Sequence, residues 1–86
     1  MKIKKVKVYS TTTCPYCRME KSWLEAKEVK HEVVYVDKDQ SEAVNMVQKT
    51  GQMGVPVTEI EFNEGDSKYI VGFDIPSLTE ALDINN

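Results

Sequence analysis

The sequence contains no long hydrophobic run, and this absence bears on where the protein resides. Its longest uninterrupted apolar stretch is Val33–Val36, far short of the roughly 18 residues that a membrane-spanning helix requires. The first residues also lack the pattern of a signal peptide, because Met1 is followed by charged residues that alternate with apolar ones. We therefore expect a cytoplasmic protein that does not enter a membrane.

Positive charge and metal-binding side chains are also scarce. The chain has 11 lysines and arginines against 14 acidic residues, for a net charge of −3, and phosphate binding needs a basic surface. We therefore expect no nucleic-acid partner. A structural zinc ion takes four ligands, whereas the chain offers two cysteines and a single histidine, His31. A zinc site would need ligands from two chains, so we favour a redox role for the cysteines.

The length of 86 residues predicts one small domain, residues 1–86. Apolar periodicity and turn residues predict the element order βαβαββα. The first βαβ unit implies two parallel strands joined by a right-handed crossover, and the turn at 63–66 joins the last two strands as an antiparallel hairpin. The predicted fold is thus α/β, with a four-stranded mixed sheet flanked by three helices. The predicted bounds are 3–10, 31–37, 57–62 and 68–71 for the strands, and 15–27, 39–50 and from about 76 onward for the helices.

The same patterns predict which side chains face the core. The apolar run Val33–Val36 favours a second strand that is buried on both faces. Asp39, with Glu42 three residues later, resembles a capping box at the start of the second helix. Helical spacing gives the inward positions, which are Tyr16, Met19, Trp23 and Leu24 in the first helix, Ala43, Val44 and Val47 in the second, and Leu78, Ala81 and Leu82 in the third.

The two cysteines, Cys14 and Cys17, are the residues that carry chemistry. Three residues apart at the start of a helix, they lie on one face, close enough to form a disulfide. Cys14 lies at the helix N-terminus, where free N–H groups and the helix dipole stabilise a thiolate. Pro15 suits the first helical position, and Arg18 adds positive potential nearby. The sequence therefore predicts that Cys14 attacks a target disulfide and that Cys17 resolves the mixed disulfide.

The segment Tyr9–Cys17, which ends in Cys-Pro-Tyr-Cys, and the segment Thr50–Val57 resemble the dithiol glutaredoxins. The likeness covers essentially the whole chain. It implies a thioredoxin-like fold, with a cis Val55–Pro56 bond beside the cysteines and the Val55 backbone free to pair with an extended substrate. The implied activity is reduction of protein or glutathione mixed disulfides by a monomer, with no bound cofactor and glutathione as the reducing co-substrate. The implied substrate and glutathione contacts are Thr11, Tyr16, Gln52, Val55, Pro56, Gly72 and Asp74.

Some positions resemble a neighbouring group of proteins instead. Glutaredoxins usually carry a lysine where this chain has Thr11, and a Gly-Gly-x-Asp turn where it has Gly72–Asp74 with Phe73 inside. Gly-Phe followed by a polar residue is similar to the glutaredoxin-like hydrogen donors of ribonucleotide reductase, which take electrons from thioredoxin reductase. A third alternative is an iron–sulfur cluster held by Cys14 of two chains and two glutathiones, which Pro15 disfavours.

Overall fold

A computed structural model describes residues 3–51 and 54–84, and over these ranges the chain forms four strands and three helices in the predicted order. The elements are β1 (Ile3–Ser10), α1 (Pro15–Ala26), β2 (Glu32–Tyr35), α2 (Gln40–Thr50), β3 (Val57–Phe62), β4 (Lys68–Val71) and α3 (Ile75–Ala81). The predicted α/β fold and mixed four-stranded sheet are confirmed. No helix in the described ranges is both long enough and apolar enough to cross a membrane.

The strands form one sheet in the order β2-β1-β3-β4. β1 is parallel to β2 and antiparallel to β3, which is antiparallel to β4. In this register Val57 lies opposite both Tyr9 and Val71, and Ser10 lies opposite Tyr35. The last residues of β1, β2 and β4 and the first residue of β3 therefore meet at one end of the sheet, which we call the site end.

Two apolar clusters cover the two faces of the sheet. On one face, Val6 and Val8 of β1 pack with buried residues of β3 and β4 and with helices α1 and α3, including Leu24, Leu78 and Leu82. Full burial of each such leucine contributes about 1.5–3 kcal/mol. On the other face, Tyr9, Met46 and Val57 form a smaller cluster beneath α2. Both clusters include residues near the site end, so their apolar contacts hold the helices against that end of the sheet.

The lysines of β1 lie where the smaller cluster ends. Lys7 Nζ lies 2.8 Å from the Glu42 carboxylate on α2 and 4.9 Å from the centre of the Tyr9 ring. Lys5 Nζ lies 2.8 Å from the Glu32 carboxylate on β2. These ion pairs let a strand with charged side chains lie in the middle of the sheet, because each ammonium reaches an acid on a neighbouring element.

The prediction for β2 was wrong in length and in burial. β2 covers Glu32–Tyr35 rather than 31–37, and its two central valines, Val33 and Val34, are only half-buried. β2 is the edge strand beside β1, and in the part of the chain that the structure describes no further strand pairs with its other edge. The chain then turns at once, and the N–H groups of Lys38 and Asp39 donate to the Tyr35 carbonyl at 3.1 Å.

The prediction for the face of α1 was also partly wrong. Tyr16 and Met19 are 63% and 52% exposed, and the buried residues are Cys17, Glu20 and Leu24. Positions 16, 19 and 23 and positions 17, 20 and 24 have the same helical spacing. The hydrophobic pattern favours the first set, since the second contains a glutamate. The structure buries the second set, in which Leu24 packs in the larger apolar cluster and Glu20 accepts a hydrogen bond from Thr58 on β3.

The second helix begins and ends where expected but buries a different residue. Asp39 caps it by accepting from the Ser41 and Glu42 N–H groups at 3.1 and 3.4 Å, and Gly51 ends it with a left-handed φ of 76°. The capping box is one-sided, because the Glu42 carboxylate binds Lys7 and Asn45. Met46 is the buried residue of α2, whereas Val44, predicted to face inward, is 54% exposed.

Candidate active site

Cys14 is the N-cap residue of α1 and forms a disulfide with Cys17. Their Cα atoms are 5.2 Å apart, within the ordinary range for a disulfide. The Cys14 Sγ also accepts the backbone N–H of Cys17 at 3.1 Å, one of the free donors of the first helical turn. Pro15 occupies the first position of the helix, as predicted, where its missing N–H leaves no unpaired donor.

The two sulfurs differ in their access to solvent. Cys17 is 3% exposed, whereas Cys14 is half-buried at the tip of the helix. An approaching disulfide therefore meets Cys14 first, while Cys17 faces the sheet. The accessible sulfur of Cys14 and the sheltered sulfur of Cys17 are thus one helical turn apart.

The loop between β1 and α1 is held by hydrogen bonds. The Thr11 carbonyl accepts the Cys14 N–H at 3.5 Å. The Asp37 carboxylate accepts both the N–H and the Oγ1–H of Thr12, at 3.1 and 2.6 Å, and these bonds keep the pKa of Asp37 below its usual value. Asp37 was not predicted from the sequence as a residue of the site. Its signal was an acid two residues after β2, because parallel β1 and β2 both end at the site end.

The Val55–Pro56 bond is cis, as the resemblance implied, and it directly precedes β3. Pro56 is buried, and its carbonyl accepts the Gly72 N–H at 2.8 Å. Gly72 has a left-handed φ of 83°, a conformation that favours glycine over residues with a side chain. Since Val57 pairs with both β1 and β4, this segment lies between the end of β1 and Gly72.

Asp74 caps the last helix. Its Oδ1 accepts the Ser77 N–H at 3.2 Å and its Oδ2 accepts the Ser77 hydroxyl at 3.0 Å. An open groove of about 510 Å³ runs along the same segment, Val71–Pro76. The Asp74 side chain thus has a structural role at α3 in addition to the binding role that the resemblance implies.

The structure places most of the predicted site residues at the site end. Cys14, Thr11, Pro56, Gly72 and Asp74 lie on the loops that leave or enter the strands there, Val55 is half-buried beside Pro56, and Tyr16 is an exposed residue in the first turn of α1. Gln52 lies outside the described residues. In the described part of the chain, no three His, Cys, Asp or Glu side chains come together as a metal ion would require.

A small groove of about 150 Å³ borders Cys17 on the side of β2. The side chains of Arg18 and Lys21 line one wall of this groove and Tyr35 another. Both cations are exposed on α1. Their positive charges lie near the cysteines, as the sequence predicted for Arg18.

A fully buried acid lies one turn beyond Cys17. Glu20 is 0% exposed, and the Thr58 hydroxyl donates to its Oε2. Burial raises the pKa of Glu20, against the smaller opposing effects of the Thr58 hydrogen bond and the His31 charge. Glu20 was not predicted from the sequence as a residue of the site. The signal was an acid at position i+3 from Cys17, on the same face of the helix.

A cysteine pair that closes a disulfide at a helix N-terminus, on this sheet, is the arrangement of thioredoxin-like thiol–disulfide oxidoreductases. This is the class that the fold and the site define. The glutaredoxin family model matches residues 6–62, and the chain belongs to the glutaredoxin family.

Similar proteins support the same assignment. A glutaredoxin-like 8.6 kDa protein from the rubredoxin operon of Clostridium pasteurianum, itself uncharacterised, is 35% identical over 91% of this chain and 97% of that protein. The glutaredoxin of Methanosarcina mazei has a TM-score of 0.76 at 34% identity, covering 91% of this chain and 77% of that one. A buckwheat glutaredoxin solved as a glutathione complex has a TM-score of 0.66 at 25% identity, covering 91% and 69%.

Proposed function

We propose that the protein reduces protein disulfides and glutathione mixed disulfides, with Cys14 as the nucleophile and Cys17 as the resolving thiol. The observation that carries this proposal is the disulfide at the start of α1, in which only Cys14 is accessible to a partner. The helix N-terminus stabilises the Cys14 thiolate. The neighbouring N–H of Cys17, 3.1 Å from the Cys14 Sγ, is placed to assist.

The reaction proceeds in two exchanges. The Cys14 thiolate attacks one sulfur of the substrate disulfide, forms a mixed disulfide and releases the other substrate sulfur as a thiolate. The Cys17 thiolate then attacks the Cys14 Sγ, which forms the intramolecular disulfide and releases the second substrate thiolate. The substrate gains two electrons and the cysteine pair loses two. The pair returns to the dithiol when two equivalents of an external thiol reduce it.

We propose glutathione as that external thiol. The glutathione complex of the buckwheat relative supports this choice, as does the open groove along Val71–Pro76. The residues proposed to contact glutathione or the substrate are Thr11, Tyr16, Gln52, Val55, Pro56, Gly72 and Asp74. The thiol form of the cysteine pair would persist in the cytosol, which is kept reducing.

A second candidate is a hydrogen donor that thioredoxin reductase reduces directly. Phe73 favours this candidate, because it stands where the glutaredoxin turn usually has a second glycine. Its ring packs edge-on against the ring of Trp23, with the ring centres 6.3 Å apart. The absence of a lysine at Thr11 also removes a cation that would hold a glutathione carboxylate. Both candidates share the same chemistry at Cys14 and Cys17 and differ in the source of electrons.

Turnover with two electron sources distinguishes these candidates. One assay couples the protein to glutathione, glutathione reductase and NADPH, with a glutathione mixed disulfide as substrate. The other couples it to thioredoxin reductase and NADPH, with insulin as substrate. We expect turnover in the first assay and its loss in Cys14→Ser. Activity with thioredoxin reductase alone would contradict glutathione use, and wild-type activity in Cys14→Ser would contradict the cysteine assignment.

A further inference from the structure

Glu20 is buried in a way that stability alone does not explain. The side chain is 0% exposed, and its Oε2 accepts a hydrogen bond from Thr58. Among the described residues, no group bonds its Oε1. A buried polar atom without a partner costs about 1–3 kcal/mol, and more when it carries charge. A carboxyl with one free oxygen beneath the active site therefore points to a chemical role.

Its position relates it to Cys17. The two residues are the buried polar positions of one helix face, separated by a rise of about 4.5 Å. Side chains on a helix lean toward its N-terminus, so the Glu20 carboxyl extends from its own turn toward that of Cys17. Its contact on the sheet, Thr58, pairs with Val8, and Val8 lines the same groove as Cys17. The carboxyl thus lies where α1 meets the sheet, one helical turn from the residue that holds the sheltered sulfur.

We propose that Glu20 is the proton acceptor for Cys17 in the resolving step. The inference rests on the proposed function, since it concerns the second exchange of that reaction. Cys17 is buried within the first turn of α1, so the helix N-terminus and the exposed cations Arg18 and Lys21 favour its thiolate less than the N-cap position favours that of Cys14. Glu20, the buried acid three residues further along the same helix face, supplies a base for it.

The proton balance of the step is simple. In the mixed disulfide, Cys17 carries a thiol proton and Glu20 is a carboxylate. The proton moves to the carboxylate, and the Cys17 sulfur attacks the Cys14 Sγ. The bond between Cys14 and the substrate sulfur breaks, and the substrate thiolate leaves and is protonated by solvent. When an external thiolate later attacks the Cys14 Sγ of the disulfide, Cys17 leaves as a thiolate and Glu20 returns the proton to it.

The surroundings of Glu20 suit this exchange. The groups that act on its carboxyl in the described chain are Thr58 on β3 and His31 before β2, and Cys17 lies three residues before it on the same helix face. Burial raises its pKa more than Thr58 and His31 lower it. A raised carboxyl pKa lies closer to that of a thiol, about 8.5. Proton transfer between groups of similar pKa is easily reversible, as a base that works in both directions requires.

A two-phase thiol reaction tests the proposal on the full-length reduced protein. One equivalent of dithiobis(nitrobenzoate) reacts with Cys14 and releases one coloured thiolate in the first phase. Attack by Cys17 on the mixed disulfide releases the second thiolate in the second phase. The variants are Glu20→Gln, which keeps the size and the Thr58 contact, and Glu25→Gln, which removes an exposed acid from the same helix.

We expect Glu20→Gln to leave the first phase unchanged and to slow the second about 100-fold near pH 7, the usual contribution of a general base. The remaining rate in Glu20→Gln should rise about tenfold per pH unit, because it depends on the small thiolate fraction of Cys17. The wild-type rate should rise less steeply once Glu20 is ionised. Glu25→Gln should match the wild type in both phases.

Three outcomes would overturn the proposal. The first is an unchanged second phase in Glu20→Gln. The second is a faster second phase, which would mean that the carboxylate only suppresses the Cys17 thiolate. The third is equal slowing of both phases, which would indicate a merely structural role. Failure of the proposed function gives a different result, because the first phase would then persist in Cys14→Ser.

Discussion

At the scale of single residues, small differences in position separate the chemistry of similar groups. Cys14 and Cys17 carry the same thiol, but one is the N-cap of α1 and the other is 3% exposed. From the sequence, the spacing and the neighbouring proline predicted that Cys14 lies at the start of the helix and Cys17 one turn further in. Glu20 was not predicted, because a glutamate counts as polar in any hydrophobic pattern. In the structure Glu20 is nevertheless buried, and its carboxyl accepts a hydrogen bond from Thr58.

The buried carboxyl also predicts a dependence of stability on pH. Because burial raises the pKa of Glu20 in the folded state, the folded protein binds more protons than the unfolded chain between the unfolded value, about 4.3, and the folded one. Stability from this group is thus present at low pH and is lost as pH rises through that window, by no more than about 1.4 kcal/mol per pH unit.

Urea unfolding of the oxidised protein at several pH values measures this effect, since disulfide-bonded cysteines do not titrate. The free energy of unfolding of the wild type minus that of Glu20→Gln should fall as pH rises above about 4 and level off above the folded pKa of Glu20. A Glu20→Gln difference that is flat, or that rises with pH, would contradict a raised pKa at this position.

At the scale of elements, the residues that cap the helices include residues of the proposed site. Cys14 caps α1, Asp39 caps α2 and Asp74 caps α3. The sequence predicted the start of α1 and of α2 within a residue because proline and the capping residues are local signals. It did not predict the length of β2 or which face of α1 is buried. Those depend on the neighbours of each element in the sheet, which local patterns do not contain.

Two substitutions at Asp74 separate its roles as a helix cap and as a proposed glutathione contact. Asp74→Ala should lower the free energy of unfolding by about 0.5–2 kcal/mol, whereas Asp74→Ser retains a capping oxygen and should stay close to the wild type. Both remove the carboxylate, so both should raise the KM for glutathione about twofold to fivefold, the effect of one exposed charge contact. An unchanged KM in Asp74→Ser would contradict the glutathione contact, and equal stability of Asp74→Ala and wild type would contradict the cap.

At the scale of the whole molecule, the sheet topology assembles the site. The order β2-β1-β3-β4 brings the ends of β1, β2 and β4 to the start of β3. Residues far apart in sequence, such as Cys14, Pro56 and Gly72, therefore belong to one end of the sheet. The element order predicted one mixed sheet, whereas the position of Val55–Pro56 beside the cysteines was implied only by the resemblance to glutaredoxins. The electron source is not determined by the topology, because it depends on surface residues around a shared cysteine pair.

The order of attack by the two cysteines is the central claim, and trapping tests it most directly. Reduced Cys17→Ser and Cys14→Ser are each mixed with oxidised glutathione, and the intact mass and the modified peptide are determined. The account predicts that Cys17→Ser forms a stable mixed disulfide with one glutathione at Cys14, while Cys14→Ser remains largely unmodified because Cys17 is sheltered. A Cys14→Ser protein that forms the adduct at Cys17 as fast as Cys17→Ser forms it at Cys14 would contradict the account.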